Sequence, residues 1–194
     1  MCIRDRSKAI AIFASGGGSN AEKIIEYFAD SKTATVSLIV SNNPNAYVLE
    51  RATKSGIPYE VVTKKIFSDE SQMSRILEKH NTDYVILAGF LWLIPAFLIA
   101  KFPKRILNIH PALLPAYGGK GMYGKRVHQA VFDNNERESG MTIHYVDEQY
   151  DEGQIIHQEK VSLNVTDTPD LIASKVLALE HAQYARVIEK VISS

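Results

Sequence analysis

Apolar residues in this chain fall into short runs separated by amphipathic stretches. Lys8 to Ala14 (KAIAIFA) is an almost unbroken run of strand length, and Ala34–Val40, Tyr59–Val62, Tyr84–Ala88 and Arg105–Ile109 repeat the signature. Between them, Asn20–Ala29 carries Ile24, Ile25 and Phe28 at helical spacing. Ala46–Lys54 reads as a second helix stopped by Ser55-Gly56, and Asp69–Lys79 as a third, with Met73, Ile76 and Leu77 inward. Strands alternating with helices predict a mostly parallel sheet covered on both faces. The most apolar stretch, Tyr84 to Ala100, is interrupted by Gly89 and Pro95 and is short for a membrane span. It reads as a buried strand followed by a short helix.

The pattern changes in the C-terminal third. Val127–Asn134 has helical spacing, while Met141–Val146 and Gln154–Val161 read as two strands around a polar loop, an antiparallel or mixed edge. Thr168-Pro169-Asp170 opens a last helix to about Val191, with Thr168 as cap and Pro169 at the first position. The fold class expected is α/β, three-layer and Rossmann-like: a mostly parallel twisted sheet with an antiparallel edge. No repeat or interdomain linker is visible, so residues 8–194 read as a single domain. Residues 1–7 carry charge without an apolar core; they are no secretory signal and read as a non-native or disordered leader.

Composition narrows the function classes. The 194 residues are 45% apolar and 23% charged, with 22 basic and 22 acidic side chains. That balance gives no global field for nucleic acid or an anionic membrane. The single cysteine, Cys2, rules out an intramolecular disulfide and a cysteine zinc cluster, and suits a reducing, cytoplasmic setting. The six histidines lack H-E-x-x-H spacing and there is no G-x-S-x-G elbow, so neither a metal site nor a serine hydrolase is expected.

Three segments carry candidate chemistry. Ser15-Gly-Gly-Gly-Ser-Asn20 lies between the first strand and first helix, where backbone amides and the helix dipole favour a phosphate. It is neither a dinucleotide fingerprint nor a Walker loop, and it also suits a tight turn with Ser19 or Asn20 as helix cap. Asn108 and His110 share one face of the fifth strand, since side chains alternate with period two, and Pro111 ends the pairing. Together they could stabilise an oxyanion; the bland alternative is a strand-end pair satisfied by backbone groups. In the acidic turn Asp147 to Gly153, Asp147, Glu148 and Glu152 read as solvated. Asp151, close to the strand at Ile155, could orient His110 and favour its cationic form. His144 reads as structural more readily than as a member of that network.

The ordered motifs Ser15-Gly-Gly-Gly-Ser-Asn20, Ser41-Asn42, Ala88-Gly89-Phe90, Asn108-Ile-His-Pro-Ala-Leu-Leu-Pro115, Ser139-Gly140, Thr142-Ile-His-Tyr145, Asp151-Glu-Gly-Gln-Ile-Ile156 and Glu180-His181 resemble the glycinamide ribonucleotide formyltransferases, from about Lys8 to Val191. The resemblance implies a formyltransferase fold and formyl transfer from 10-formyltetrahydrofolate to glycinamide ribonucleotide in purine biosynthesis. It implies Asn108, His110 and Asp151 as the catalytic trio. Gly18, Ser19 and Asn20 would hold the substrate phosphate, Glu180 the ribose hydroxyls, and Pro111 would lie against that substrate. Leu91, Trp92, Leu93 and Ile94 would line the pterin pocket with Asp147, Glu148, Gln149, Tyr150 and Asp151. Partners would be small molecules, with no metal, nucleic acid or membrane, and the protein a monomer or homodimer.

Some positions depart from the family pattern. Trp92 stands where some members carry a long basic side chain, and Leu177 replaces a polar residue. The Gly118–Gly124 segment is longer than in several relatives, and Lys120 or Lys125 could recover a phosphate contact. Rival readings are a 10-formyltetrahydrofolate hydrolase, a methionyl-tRNA formyltransferase and a non-catalytic nucleotide-binding module.

Overall fold

A computed structural model describes residues 6–194 as two compact units: the chain up to Phe90 together with Ile188–Ser194, and Leu91–Val187. Most of the expected leader, residues 1–5, lies outside the described residues. Its last two residues are bonded, Arg6 donating to Asp83 at 2.9 Å and Ser7 sharing a hydrogen bond with Thr35 at 3.0 Å.

The first unit contains β1 (Lys8–Phe13), α1 (Ser19–Phe28), β2 (Ala34–Ser41), α2 (Tyr47–Lys54), β3 (Tyr59–Val61), α3 (Lys64–Phe67), α4 (Glu70–Lys79) and β4 (Tyr84–Leu87). Its strands pair in parallel, in the order β3-β2-β1-β4. Ile10 to Phe13 of the central strand are fully buried, so β1 has no wet side and its apolar run is unbroken. α1 turns Ala21, Ile24 and Phe28 inward and α4 turns Met73 and Leu77 inward, the spacing of an amphipathic helix. α3 departs from the sequence reading. It is capped by Thr63, whose hydroxyl accepts from Ile66 N–H, but a single turn is too short for a period to register.

The second unit contains α5 (Ala96–Lys101), β5 (Ile106–His110), α6 (Lys125–Asp133), β6 (Glu138–Tyr145), β7 (Ile155–Ser162) and α7 (Pro169–Ile192), whose last turn is counted with the first unit. β6 pairs antiparallel with both β5 and β7, the expected antiparallel edge. β6 begins at Glu138 rather than Met141. Gly140 lies inside the strand and permits close strand approach, because a Cβ would collide with the Glu159 carbonyl. α7 starts as expected, with Thr168 Oγ1 accepting from Leu171 N–H at 3.3 Å. Fully buried Tyr184 ties this helix to β5 by donating to the Leu107 carbonyl at 3.3 Å.

Candidate active site

The antiparallel register assembles the polar face of the second unit. Asn108 lies opposite His144 and His110 opposite Thr142, so all four side chains share one face while Leu107 and Ile109 point into the core on the other. Asn108 Nδ2 lies 3.0 Å from His144 Nε2, and His144 Nδ1 lies 2.9 Å from the Tyr145 carbonyl. A carbonyl only accepts, so His144 Nδ1 carries a proton, and Nε2 faces the amide. His144 therefore belongs to the polar network, contrary to the structural role read from sequence, because its register partner is Asn108.

Two irregular segments complete the cluster. Asp151 adopts a left-handed backbone conformation, φ 58°. Its Oδ1 accepts from Asn108 Nδ2 at 3.3 Å, its Oδ2 accepts from Gly119 N–H at 3.0 Å, and Oδ2 lies 3.4 Å from His110 Nδ1. The glycine-rich segment after Pro115 supplies Gly119 and also the Tyr117 carbonyl, which lies 2.8 Å from His110 Nε2. His110 Nε2 therefore carries a proton and donates it to Tyr117. The proximity of Asp151 to His110, which sequence alone left open, is direct.

Thr142 and Gln158 hold the turn that follows His110. Thr142 Oγ1 donates to the Ala112 carbonyl at 2.7 Å and accepts from Leu114 N–H at 3.0 Å. Gln158, its register partner on β7, donates to the Leu114 carbonyl at 2.8 Å and to Thr142 Oγ1 at 2.9 Å. Sequence reasoning missed both residues. The only signal was the polar Thr142 at a buried strand position; Gln158, exposed on β7, gave none.

The electrostatics of the cluster correct one expectation. Burial lowers His110 below the ordinary imidazole value, outweighing Asp151 and the Tyr117 carbonyl, which raise it; His144 adds a further downward push. Asp151 thus favours a cation without making His110 one at rest. Burial raises Asp151, but the His144 imidazole, the charge of His110 and the Gly119 N–H together hold it below the usual carboxylate value. His128, buried on α6, is lowered by its burial and then by the charge of His110, a neighbour the sequence did not suggest.

The remaining expected residues are distributed as follows. Gly18, Ser19 and Asn20 open α1 in the first unit. Gly18, at φ 71°, is itself the N-cap and α1 has no side-chain cap, so neither Ser19 nor Asn20 takes that role. Pro111 follows β5 directly. Glu180 is buried on α7, near enough that its charge adds to burial in raising Tyr184 well above the ordinary phenol value. In the segment before α5, Leu91 and Leu93 are exposed and Ile94 is buried, with Trp92 between those extremes. In the acidic turn, Gln149 N–H donates to Asp147 Oδ1 at 3.0 Å, Glu148 is exposed and Tyr150 half-buried. Lys125 pairs with Asp170 at 3.5 Å on the exposed surface. Among the described residues no helix is long and apolar enough to cross a membrane, and no three His, Cys, Asp or Glu side chains group as metal ligands.

Comparison with known proteins identifies the lineage of this arrangement. The formyl transferase family model matches residues 8–188, nearly the whole chain. The chain belongs to the formyl transferase family. A chloroplastic phosphoribosylglycinamide formyltransferase of Arabidopsis thaliana is 48% identical over 94% of this chain and 65% of its own length. One from Vigna unguiculata is 42% identical over 95% of this chain and 61% of its own length, so the chain spans somewhat under two thirds of these relatives. The crystal structure of phosphoribosylglycinamide formyltransferase from Bacillus halodurans superposes with a TM-score of 0.86 at 36% identity, covering 96% of each chain. In this formyl transferase, then, the mostly parallel sheet with its antiparallel edge is a shared fold.

Proposed function

We propose that the protein transfers the formyl group of 10-formyltetrahydrofolate to the amine of glycinamide ribonucleotide, giving formylglycinamide ribonucleotide and tetrahydrofolate in de novo purine biosynthesis. The observation that carries this reading is the convergence of Asn108 and His110 on Asp151, within 3.4 Å, in a chain of this family. The names of the relatives support the choice of substrate.

Attack of the amine on the formyl carbon places negative charge on the formyl oxygen. Asn108 Nδ2 and His110 Nε2 are the donors for that charge, each worth roughly 3–4 kcal/mol in comparable sites. At rest those hydrogens rest on His144, Asp151 and the Tyr117 carbonyl, so the formyl oxygen takes the place of the Tyr117 carbonyl at His110 and of His144 or Asp151 at Asn108. Asp151, ionised at neutral pH, compensates the positive charge when His110 takes up a proton, and relays the proton lost by the amine toward the folate nitrogen. The rest of the acceleration comes from holding amine and formyl carbon together. No step calls for a metal ion.

In the same reading, Gly18, Ser19 and Asn20 hold the phosphate, Pro111 packs against the ribonucleotide and Glu180 binds its ribose hydroxyls. Leu91 to Ile94 and Asp147 to Asp151 receive the pterin. Residues 8–194 act as one formyltransferase domain, monomeric or homodimeric, and a reducing compartment such as the cytoplasm suits the lone cysteine. A spectrophotometric folate assay tests the reading. Tetrahydrofolate should form one-for-one with added glycinamide ribonucleotide and not without it; release without ribonucleotide would instead mark a hydrolase.

A further inference from the structure

The glycine loop of the first unit is held from behind by α2. Val48 N–H donates to the Gly16 carbonyl at 3.1 Å, and Arg51 Nε donates to the Gly17 carbonyl at 2.8 Å. In a trans peptide the carbonyl and the following N–H point opposite ways. Tying these two carbonyls to α2 therefore turns the N–H groups of Gly17 and Gly18 away from it, in series with the amides that open α1. Gly18 is pressed closely enough on α2 that a Cβ would come within 2.5 Å of Val48 Cγ2.

Arg51 is itself fixed on three sides. Beyond the Gly17 carbonyl, its guanidinium pairs with Glu22 in the first turn of α1, and its Cζ lies 4.9 Å from the centre of the Tyr47 ring. A solvent-exposed pair of Arg51 with Glu22 alone would contribute little and would leave the side chain free to swing. Instead the planar fork spans α1, α2 and the loop, and only 20% of the side chain is exposed.

We propose that Arg51 is a positioning residue of the glycine loop, fixing the Gly17–Gly18 peptide so that its N–H faces the phosphate of the ribonucleotide. The inference rests on the reading of Gly18, Ser19 and Asn20 as the phosphate site, and goes beyond it by naming the group that sets the loop. Arg51 does not touch the phosphate; it acts through a backbone carbonyl.

Calorimetric titration of the intact chain with glycinamide ribonucleotide, and with the dephosphorylated ribonucleoside, tests it. The wild-type protein should prefer the ribonucleotide. Arg51→Met should lose about tenfold of that preference, the scale of one hydrogen bond to a charged partner, with ribonucleoside affinity held within about twofold. In turnover, KM for the ribonucleotide should rise more than kcat falls. Arg51→Lys, which keeps the charge but loses the fork, should behave like Arg51→Met. Recovery of the preference in the lysine variant would show that charge alone matters and overturn the proposal. An equal loss for both ligands would mark general loosening of the unit and overturn it as well. A methionine variant with wild-type preference would remove Arg51 while leaving the phosphate reading intact. A wild-type protein without preference would sink that reading and the proposal together.

Discussion

Asp151 draws an amide N–H, a backbone N–H and two imidazoles onto one carboxylate, and its titration should be visible in both turnover and stability. Its value in the fold is depressed, so its stabilising contribution is present above the ordinary carboxylate value near pH 4 and lost as pH falls through the lower folded value. His110 is also depressed. The unfolded chain takes up a proton below about pH 6.5 that the folded chain resists, and stability falls there too. Melting temperature should therefore be flat at neutral pH, decline below about pH 6.5, and decline again below about pH 4. In Asp151→Asn the lower step should shrink to what the other depressed carboxylates, Asp69 and Asp167, supply, while the upper one grows, because burial of His110 is left without its counterweight. At neutral pH the same variant should stay folded, since an asparagine oxygen still accepts from Gly119, and should lose at least about a hundredfold in kcat. Wild-type turnover in purified Asp151→Asn would remove this carboxylate from the chemistry.

Among the elements, the turn from β6 to β7 decides where Asp151 sits. Gly153 is buried against β6 so closely that a Cβ would strike the Tyr145 carbonyl and come within 3.4 Å of His144 Nδ1. Tyr145 N–H closes the turn onto the Gln154 carbonyl at 2.9 Å. Gly153→Ala should thus cost about 2–3 kcal/mol in denaturant unfolding and displace the acidic turn, lowering kcat along with stability. An alanine variant that melts and turns over like wild type would refute this account of the turn. The elements also show what was readable from sequence. The buried strands β1, β2, β4 and β5 announce themselves as apolar runs, and α1 and α4 by their period. α3 and the first half of β6 were not legible, because one is a single turn and the other carries a glycine whose reason is a neighbouring strand.

For the whole molecule, the matched charge of 22 basic and 22 acidic residues gives no long-range field to steer an anionic substrate. In the proposed reaction, recognition of the phosphate is then short-range, through backbone amides, and little screened. Raising salt from about 50 to about 200 mM should change kcat/KM for glycinamide ribonucleotide by no more than about twofold. A steep salt dependence in that assay would point to a steering field from a cationic surface patch. The same neutrality separates this chain from proteins whose affinity is built on counterion release.

By itself, the sequence determined the alternation of strands and helices, the pairing of Asn108 and His110 on one strand face, the glycine loop before α1 and the motifs that resemble a family. These are local facts, written in side-chain period and in the conformational limits of glycine and proline. The tertiary structure alone decided that His144 faces Asn108, that Thr142 and Gln158 strap the turn after His110, that Asp151 lies beside His110, and that Arg51 grips the loop. Each of those joins residues far apart in the chain through strand register or a packed helix, and no local pattern encodes such distances. Burial decided the balance at His110, because the desolvation that lowers it exists only once the unit has closed around it.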